Sequence, residues 1–241
     1  MKLSVVIPVL NSHEALRRQC LYWERLRKPD GVEIIIVDDG SDPPLDVPKW
    51  IWIHRTHDTR PWTWAIARNA GARIAAGKYL LMTDLDHIIS QDAIDYAMSF
   101  DGQKVQFRRE FAVLLEDGSL CQDIDVLREY GLLPRYRLHV KPLPNNFIMR
   151  RDLYWELGGY REDLAEKEYP QGEDRSWKSK WMTYVASGKG RVSTYRPLMY
   201  VFPTGQFCGD VDHNPHGLFH NLTRKTARNY FYRQQLASNG S

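Results

Sequence analysis

Cysteine is scarce in this chain. The three present, Cys20, Cys121 and Cys208, are far apart, odd in number and without metal-type spacing. That excludes a disulfide scaffold or a cysteine zinc site and points to reduced thiols in a cytoplasmic protein. Long apolar runs are also missing. None approaches the ~20 residues that span a bilayer, so a soluble protein is expected, peripheral to a membrane only if a partner carries it there. The opening MKLSVVIPVL has the lysine and short apolar run of a secretion signal. It lacks a small-residue cleavage site, passes into Asn11-Ser12-His13-Glu14, and reads as a strand. Charge of one sign is not in excess: the formal net charge is +3 and no charge run forms a tail, which argues against a strongly basic nucleic-acid surface. Internal repeats and low-complexity segments are absent. What remains is 241 residues at 43% hydrophobic content, enough for one globular unit over 1–241 with a sizeable core.

The most informative stretch is KYLLMTDLDHIIS, Lys78 to Ser90. Tyr79-Leu80-Leu81-Met82 is continuously apolar, as in a parallel strand covered on both faces. It ends in Asp84 and Asp86, where ligands of open α/β sheets bind. In an extended Asp-x-Asp the two side chains point the same way and together suit a hard divalent cation, Mg²⁺ or Mn²⁺, which would grip a diphosphate.

The rest of the chain repeats the theme. Leu3 to Val9 predicts a buried strand with Pro8 near its end. Asn11 or Ser12 is placed to cap a helix carrying Leu16, Cys20, Trp23 and Leu26 inward and Glu14, Arg17, Arg18, Glu24 and Arg25 outward. Lys28-Pro29-Asp30-Gly31 stops that helix, and a second apolar run, Val32 to Val37, ends in Asp38-Asp39-Gly40-Ser41. Lys49 to His54 is a third strand. AIARNAGARIAAG reads as a helix with Gly77 as its stop. The predicted order is βαββαβ with acidic strand ends, a nucleotide-binding α/β half over 1–90.

Beyond Ser90, helices are expected over Asp92 to Phe100, Asp123 to Tyr130 and Asp152 to Leu157. A strand or hairpin is expected over Lys104 to Leu115, with another strand, Asn146 to Arg151, returning to the sheet. Gly172-Glu173-Asp174 opens a helix over Arg175 to Val185, its acids at the positively polarised end. Residues 91–220 form a second, acceptor-binding half and 221–241 a basic terminal segment, read as a solvated helix.

Five elements in this order resemble the family 2 glycosyltransferases of the GT-A fold. They are Ile7-Pro8-Val9 with Asn11, Val37-Asp38-Asp39-Gly40-Ser41, Ala67-Arg68-Asn69-x-Gly71, Asp84-Leu85-Asp86, and Glu173-Asp174 after Gly158-Gly159-Tyr160. The resemblance implies an α/β fold with a mostly parallel central sheet and helices on both faces. It also implies transfer of a sugar from a nucleotide-sugar donor, a UDP-sugar first among them, to an acceptor hydroxyl with inversion. Pro8, Val9 and Asn11 match the nucleotide-sugar-binding end of the first strand. Asp38 and Asp39 match the pair that contacts base or ribose, Arg68 the basic residue near the diphosphate, Asp84 a ribose contact and Asp86 the metal ligand, with Asp84 beside it. Asp174, with Glu173 as the neighbouring choice, matches the catalytic base.

Departures from the pattern leave alternatives open. His87 follows the Asp-x-Asp and could ligate metal or cap the next helix. A late third ligand falls among His213, His216 and His220, with His213 favoured by position. Trp62 and Trp64 suit either stacking on a base or sugar, or core packing. Glu173 and Asp174 also fit plain helix N-terminal acids, worth ~0.3 to 1 kcal/mol. The acceptor could be a glycan, a lipid-linked sugar, a protein or, through Arg224 to Arg233, a nucleic acid. A nucleotidyltransferase of related fold is disfavoured because Pro8-Val9-Leu10-Asn11-Ser12-His13 has no glycine to cradle a triphosphate. A non-catalytic nucleotide- or glycan-binding module is the remaining alternative.

Overall fold

A computed structural model of the chain describes residues 1–56, 58, 60, 63–166, 172–192, 194–208 and 218–219. Its first half runs β1 (Leu3–Val9), α1 (His13–Arg25), β2 (Val32–Asp38), β3 (Trp52–Arg55), α2 (Trp64–Ile74) and β4 (Tyr79–Met82). These are the six elements expected, in the expected order. The four strands lie side by side as β3-β2-β1-β4, every pair parallel. Every residue of β1 is buried, because alternate side chains enter different cores. Val5, Ile7 and Val9 meet Leu16, Cys20 and Trp23 of α1, while Val6 meets Ala65, Ala67 and Ala72 of α2. A strand covered twice has no polar face to show, which is why it reads as a continuous apolar run.

The second half adds β5 (His87–Ile89), α3 (Gln91–Ser99), β6 (Lys104–Phe111), β7 (Val113–Leu114), β8 (Leu120–Cys121), α4 (Ile124–Glu129), β9 (His139–Val140), β10 (Phe147–Arg150), α5 (Arg151–Glu156), α6 (Glu173–Ala186) and β11 (Thr194–Val201). The main sheet continues β4-β10-β6-β11-β5, with β9 on β6. Here it is no longer parallel. β10 runs against both β4 and β6, and β11 runs with β6 but against β5. The central sheet is therefore parallel in its first half and mixed as a whole. Core residues of α1, α3 and α4 share one face and those of α2, α5 and α6 the other. No described helix is long and apolar enough to cross a membrane.

Three local expectations need correction. Ser12 occupies the cap position of α1 but makes no side-chain cap bond; its hydroxyl donates to the Leu10 carbonyl at 2.9 Å instead. Arg18, expected on the wet face, is buried. It donates to the Leu114 carbonyl and the Tyr130 hydroxyl, both at 2.9 Å, and pairs with Glu14. Gly77 is not a left-handed helix stop, since α2 ends at Ile74 with Ala75 as its cap and Gly77 is not among the glycines of positive φ. A Cβ on Gly77 would lie 2.6 Å from the Ser4 amide nitrogen, so the glycine serves the close passage of α2's exit over β1. Gly71 works the same way inside α2, where a methyl group would overlap Val6 and come 2.9 Å from Val37 Cγ2.

Candidate active site

Parallel pairing decides where the acidic residues fall. The register Leu3↔Tyr79 through Val6↔Met82 brings the segment after β4 alongside the end of β1, and the Thr83 amide donates to the Val6 carbonyl at 3.3 Å. Gln19 of α1, fully buried, donates its amide to the Leu85 carbonyl at 3.1 Å and the His87 carbonyl at 2.8 Å. The residue following β11 holds the far side, the Phe202 amide donating to the Asp86 carbonyl at 2.8 Å. The Asp-x-Asp segment is thus pinned by its backbone from three sides, leaving its side chains to the cleft.

That cleft has a volume of about 260 Å³. Asp84, Asp86, Arg68 and Asp174 all line it, with Pro8 and Val9 from the end of β1. Four separate segments therefore converge on one cavity. Glu173 lines it too, buried beside Asp174 in the first turn of α6.

Arg68 projects from α2 and is buried at 3% exposure. One Nη donates to Asp84, and the guanidinium carbon lies 5.8 Å from the Trp64 ring centre and 5.2 Å from that of Tyr160. Its Nε and other Nη are buried without a hydrogen-bond partner, two donors of the kind an anion satisfies. Burial would lower its pKa, but Asp84, Tyr160, Asp174 and Glu173 outweigh burial and raise it. The guanidinium stays charged.

The two carboxyls of the Asp-x-Asp titrate apart. Burial raises Asp84, Arg68 opposes, and the neighbouring Asp86 adds to the rise. For Asp86, burial is outweighed by His87, Arg109 and the Thr204 hydroxyl, which hold it below the ordinary carboxylate range. Asp84, Asp86 and His87 offer ligand atoms all within 4.8 Å of one another. Carboxylate oxygens at this spacing are the donors a hard divalent cation prefers.

His87 is not a helix cap; Ser90 caps α3, accepting from the Ala93 amide. Its Nδ1 lies 2.7 Å from Asp86 Oδ1. Its Nε2 lies 2.9 Å from Arg109 Nη1 and 2.7 Å from Asn146 Nδ2. Both groups facing Nε2 are donors, so that nitrogen carries the lone pair and Nδ1 carries the proton given to Asp86. Burial pushes Arg109 down to about 10, with Asp86 and Asp84 opposing.

Asp174 is held by Asn145, which also lines the cleft and whose amide nitrogen donates to Asp174 Oδ1. Asn145 in turn accepts from the Tyr160 hydroxyl at 2.9 Å. Tyr160 is locked by Asn69, which accepts from the Tyr160 amide at 3.0 Å and the Tyr154 hydroxyl at 2.5 Å, and donates to the Tyr160 carbonyl at 2.9 Å.

Asp38, Asp39 and Asn11 stand outside the cavity lining. Asp38 accepts from the amides of Ser41 at 2.9 Å and Leu45 at 3.0 Å, and so shapes the loop after β2. Asp39 accepts from the hydroxyls of Thr63 and Thr56. Asn11, at φ +50°, ties two loops together: its amide donates to Ser41 Oγ and its side chain accepts from the Asp42 amide. Trp64 lines the cleft. Trp62, His213, His216, His220 and the basic segment Arg224 to Gln235 lie outside the described residues. Gln19, Arg109, Asn145 and Thr204 carried no motif in the sequence, although Asn145 lies immediately before a predicted strand and Arg109 within one.

A parallel first half, a mixed second half and a cleft of paired acids beyond the strand ends together define the GT-A glycosyltransferase fold. Residues 4–100 match the profile described as Glycosyl transferase family 2, and the resemblance read from the motifs holds. Among solved structures, the crystal structure of S. aureus TarS 1-349 is 17% identical at TM-score 0.54, covering 84% of this chain and 61% of that one. The structure of S. aureus TarS is likewise 17% identical at TM-score 0.54, with 83% of this chain and 36% of that one covered. S. aureus TarS 1-349 in complex with UDP-GlcNAc is 16% identical at TM-score 0.50, with coverages of 84% and 56%. The chain thus spans less than two thirds of each of these structures, and at such identities the likeness is one of fold. No curated protein sequence matches the chain.

Proposed function

We propose that the protein transfers a sugar from a nucleotide-sugar donor to an acceptor hydroxyl with inversion at the anomeric carbon. The observation that carries this reading is the convergence of Asp84, Asp86, Arg68 and Asp174 on one cleft. Asp86, with Asp84, would hold Mn²⁺ or Mg²⁺, and when bound the ion supplies positive charge to the departing diphosphate. Arg68 turns its two unpartnered donors to the same diphosphate and stabilises its charge without giving up a proton. The end of β1 seats the nucleotide, and a UDP-sugar is the leading donor, in keeping with the UDP-GlcNAc complex of TarS 1-349. Leu143, Val201, Phe207 and Phe219 wall the cleft, an apolar and aromatic surface for the face of a sugar ring.

Asp174 is the base. One oxygen is occupied by Asn145, and the other takes the proton of the acceptor hydroxyl as its oxygen attacks the anomeric carbon and the bond to the diphosphate breaks. A positioned base of this kind contributes roughly 10² to 10⁴-fold. The chain is cytoplasmic in this reading, and its acceptor is a glycan, a lipid-linked sugar or another hydroxyl. The test is to incubate the purified protein with Mn²⁺ and a panel of nucleotide sugars and measure released nucleoside diphosphate. Release from one donor, lost in Asp86→Ala and in Asp174→Asn, is expected; full activity in both variants would sink the proposal.

A further inference from the structure

Two of the acidic groups of the cleft, Asp174 and Asp86, are both held by one dipeptide that no catalytic motif includes. Asn145 and Asn146 immediately precede β10 and are 2% and 1% exposed. Asn145 sits in the turn closed by the Asn146 amide on the Leu143 carbonyl at 3.3 Å, and the two side chains reach different partners. Asn145 donates to Asp174, whereas Asn146 donates to His87 Nε2 at 2.7 Å, and His87 donates from Nδ1 to Asp86 at 2.7 Å.

Both amides are oriented by what faces them. The Tyr160 hydroxyl must donate to Asn145 Oδ1, because the other end of that amide meets a carboxylate that can only accept. Tyr160 is itself immobile. Its ring stacks on Trp177 with centroids 5.1 Å apart at 25°, and its backbone is held on both sides by Asn69. On the other branch, Arg109 donates to His87 Nε2 while its own Nε is fixed on the Lys141 carbonyl at 2.8 Å.

We propose that Asn145 and Asn146 are a pair of positioning residues, one aiming the base Asp174 and the other, through His87, aiming the metal carboxylate Asp86. This rests on the glycosyl-transfer reading above. The pair shares one rigid backbone start at β10, which runs antiparallel between β4 and β6. The base and the metal side are thereby held at a fixed spacing before any substrate enters. Each carboxylate thus has one oxygen held by a donor, Asp174 by the Asn145 amide and Asp86 by the His87 ring.

Near-isosteric variants separate positioning from space-filling. Asn145→Asp keeps the shape but replaces the donor with a group that repels Asp174, and Asn146→Leu removes the donor to His87. For Asn145→Asp, kcat should fall about 10- to 100-fold, the scale of a misaimed group, while Mn²⁺ affinity by calorimetry stays at the wild-type value. For Asn146→Leu, Mn²⁺ should bind roughly 10-fold more weakly, the lower range for groups behind a metal ligand. Tryptophan fluorescence and far-UV dichroism check that both variants fold.

Wild-type kcat in Asn145→Asp, or equal losses of kcat and Mn²⁺ affinity in both variants, would overturn the assignment and leave the dipeptide a packing element. Asp174→Asn is run beside them. If it is inactive while Asn145→Asp is normal, the positioning role alone fails. If it is fully active, Asp174 is not the base and the function reading fails first. The Mn²⁺ titrations use the metal alone and do not depend on the donor.

Discussion

Asp39 stores a destabilising charge that can be read out by pH. It is 6% exposed, and its carboxylate is held by the hydroxyls of Thr63 and Thr56. Burial nevertheless wins: the carboxyl moves from its ordinary 3.8 to about 6, with the two threonines opposing and Asp58 and Asp38 adding to the rise. At 1.36 kcal/mol per pH unit, keeping Asp39 ionised costs the native state about 3 kcal/mol. The sign follows from proton counting. Between about pH 4 and 6 the native state holds a proton at Asp39 that the unfolded state has lost, so stability falls as pH rises through that window and the cost is complete above it.

Asn in place of Asp39 removes the charge and keeps the shape, and a threonine hydroxyl can accept from the new amide. The variant should match wild type near pH 4 and exceed it by about 2 to 3 kcal/mol at pH 7. Urea unfolding followed by tryptophan fluorescence, repeated every half unit from pH 4 to 8, measures the difference directly. A difference that stays flat across the range would refute the reasoning, because a packing effect has no reason to titrate. A gain in stability accompanied by loss of nucleotide binding would identify the cost as one borne for a ligand.

Other consequences are equally accessible. Gly71→Ala should destabilise the fold by about 1 to 3 kcal/mol by overpacking α2 against Val6 and Val37; a stabilised variant in thermal melts would mean the helix can lift without cost. Gln19→Leu strands the carbonyls of Leu85 and His87. A loss of about 1 to 3 kcal/mol is expected in denaturant titrations, together with weaker Mn²⁺ binding, and an unchanged Mn²⁺ isotherm would show that α1 does not hold the acidic segment. Burial pushes the Lys104 ammonium down to about 7, under the rings of Phe147 and Trp181 at 5.2 and 4.8 Å. The unfolded state keeps that proton to about pH 10.4, so stability should rise with pH from about 7 to 10. Lys104→Met should abolish that slope, and a slope that persists in the variant assigns it to another group.

Local pattern was enough wherever a residue's neighbours in the chain are also its reasons. β1, β2 and β4 are continuous apolar runs because a doubly covered strand has no polar face, and the acids that follow them mark strand ends in any register. Glycine and proline punctuation placed α1 and α5 to within a few residues, and the Asp-x-Asp needed only the two-residue period of extended chain. Tertiary structure decided the rest. β11 crosses back to pair with β6 and β5, a choice made by partners some ninety or more residues away rather than by its own composition. Arg18 looked like a surface residue until the Leu114 carbonyl and the Tyr130 hydroxyl, 96 and 112 residues away, gave its guanidinium buried partners. His87 looked like a ligand or a cap; Ser90 takes the cap, while distant Arg109 and Asn146 meet one ring nitrogen of His87 and Asp86 the other, within the acidic cluster. Thr204 reaches Asp86 across 118 residues, and Asn145 reaches Asp174 across 29. The acids themselves were legible because strand ends announce them. The groups that aim and tune those acids were not, because a hydrogen bond between distant segments leaves no period in the sequence.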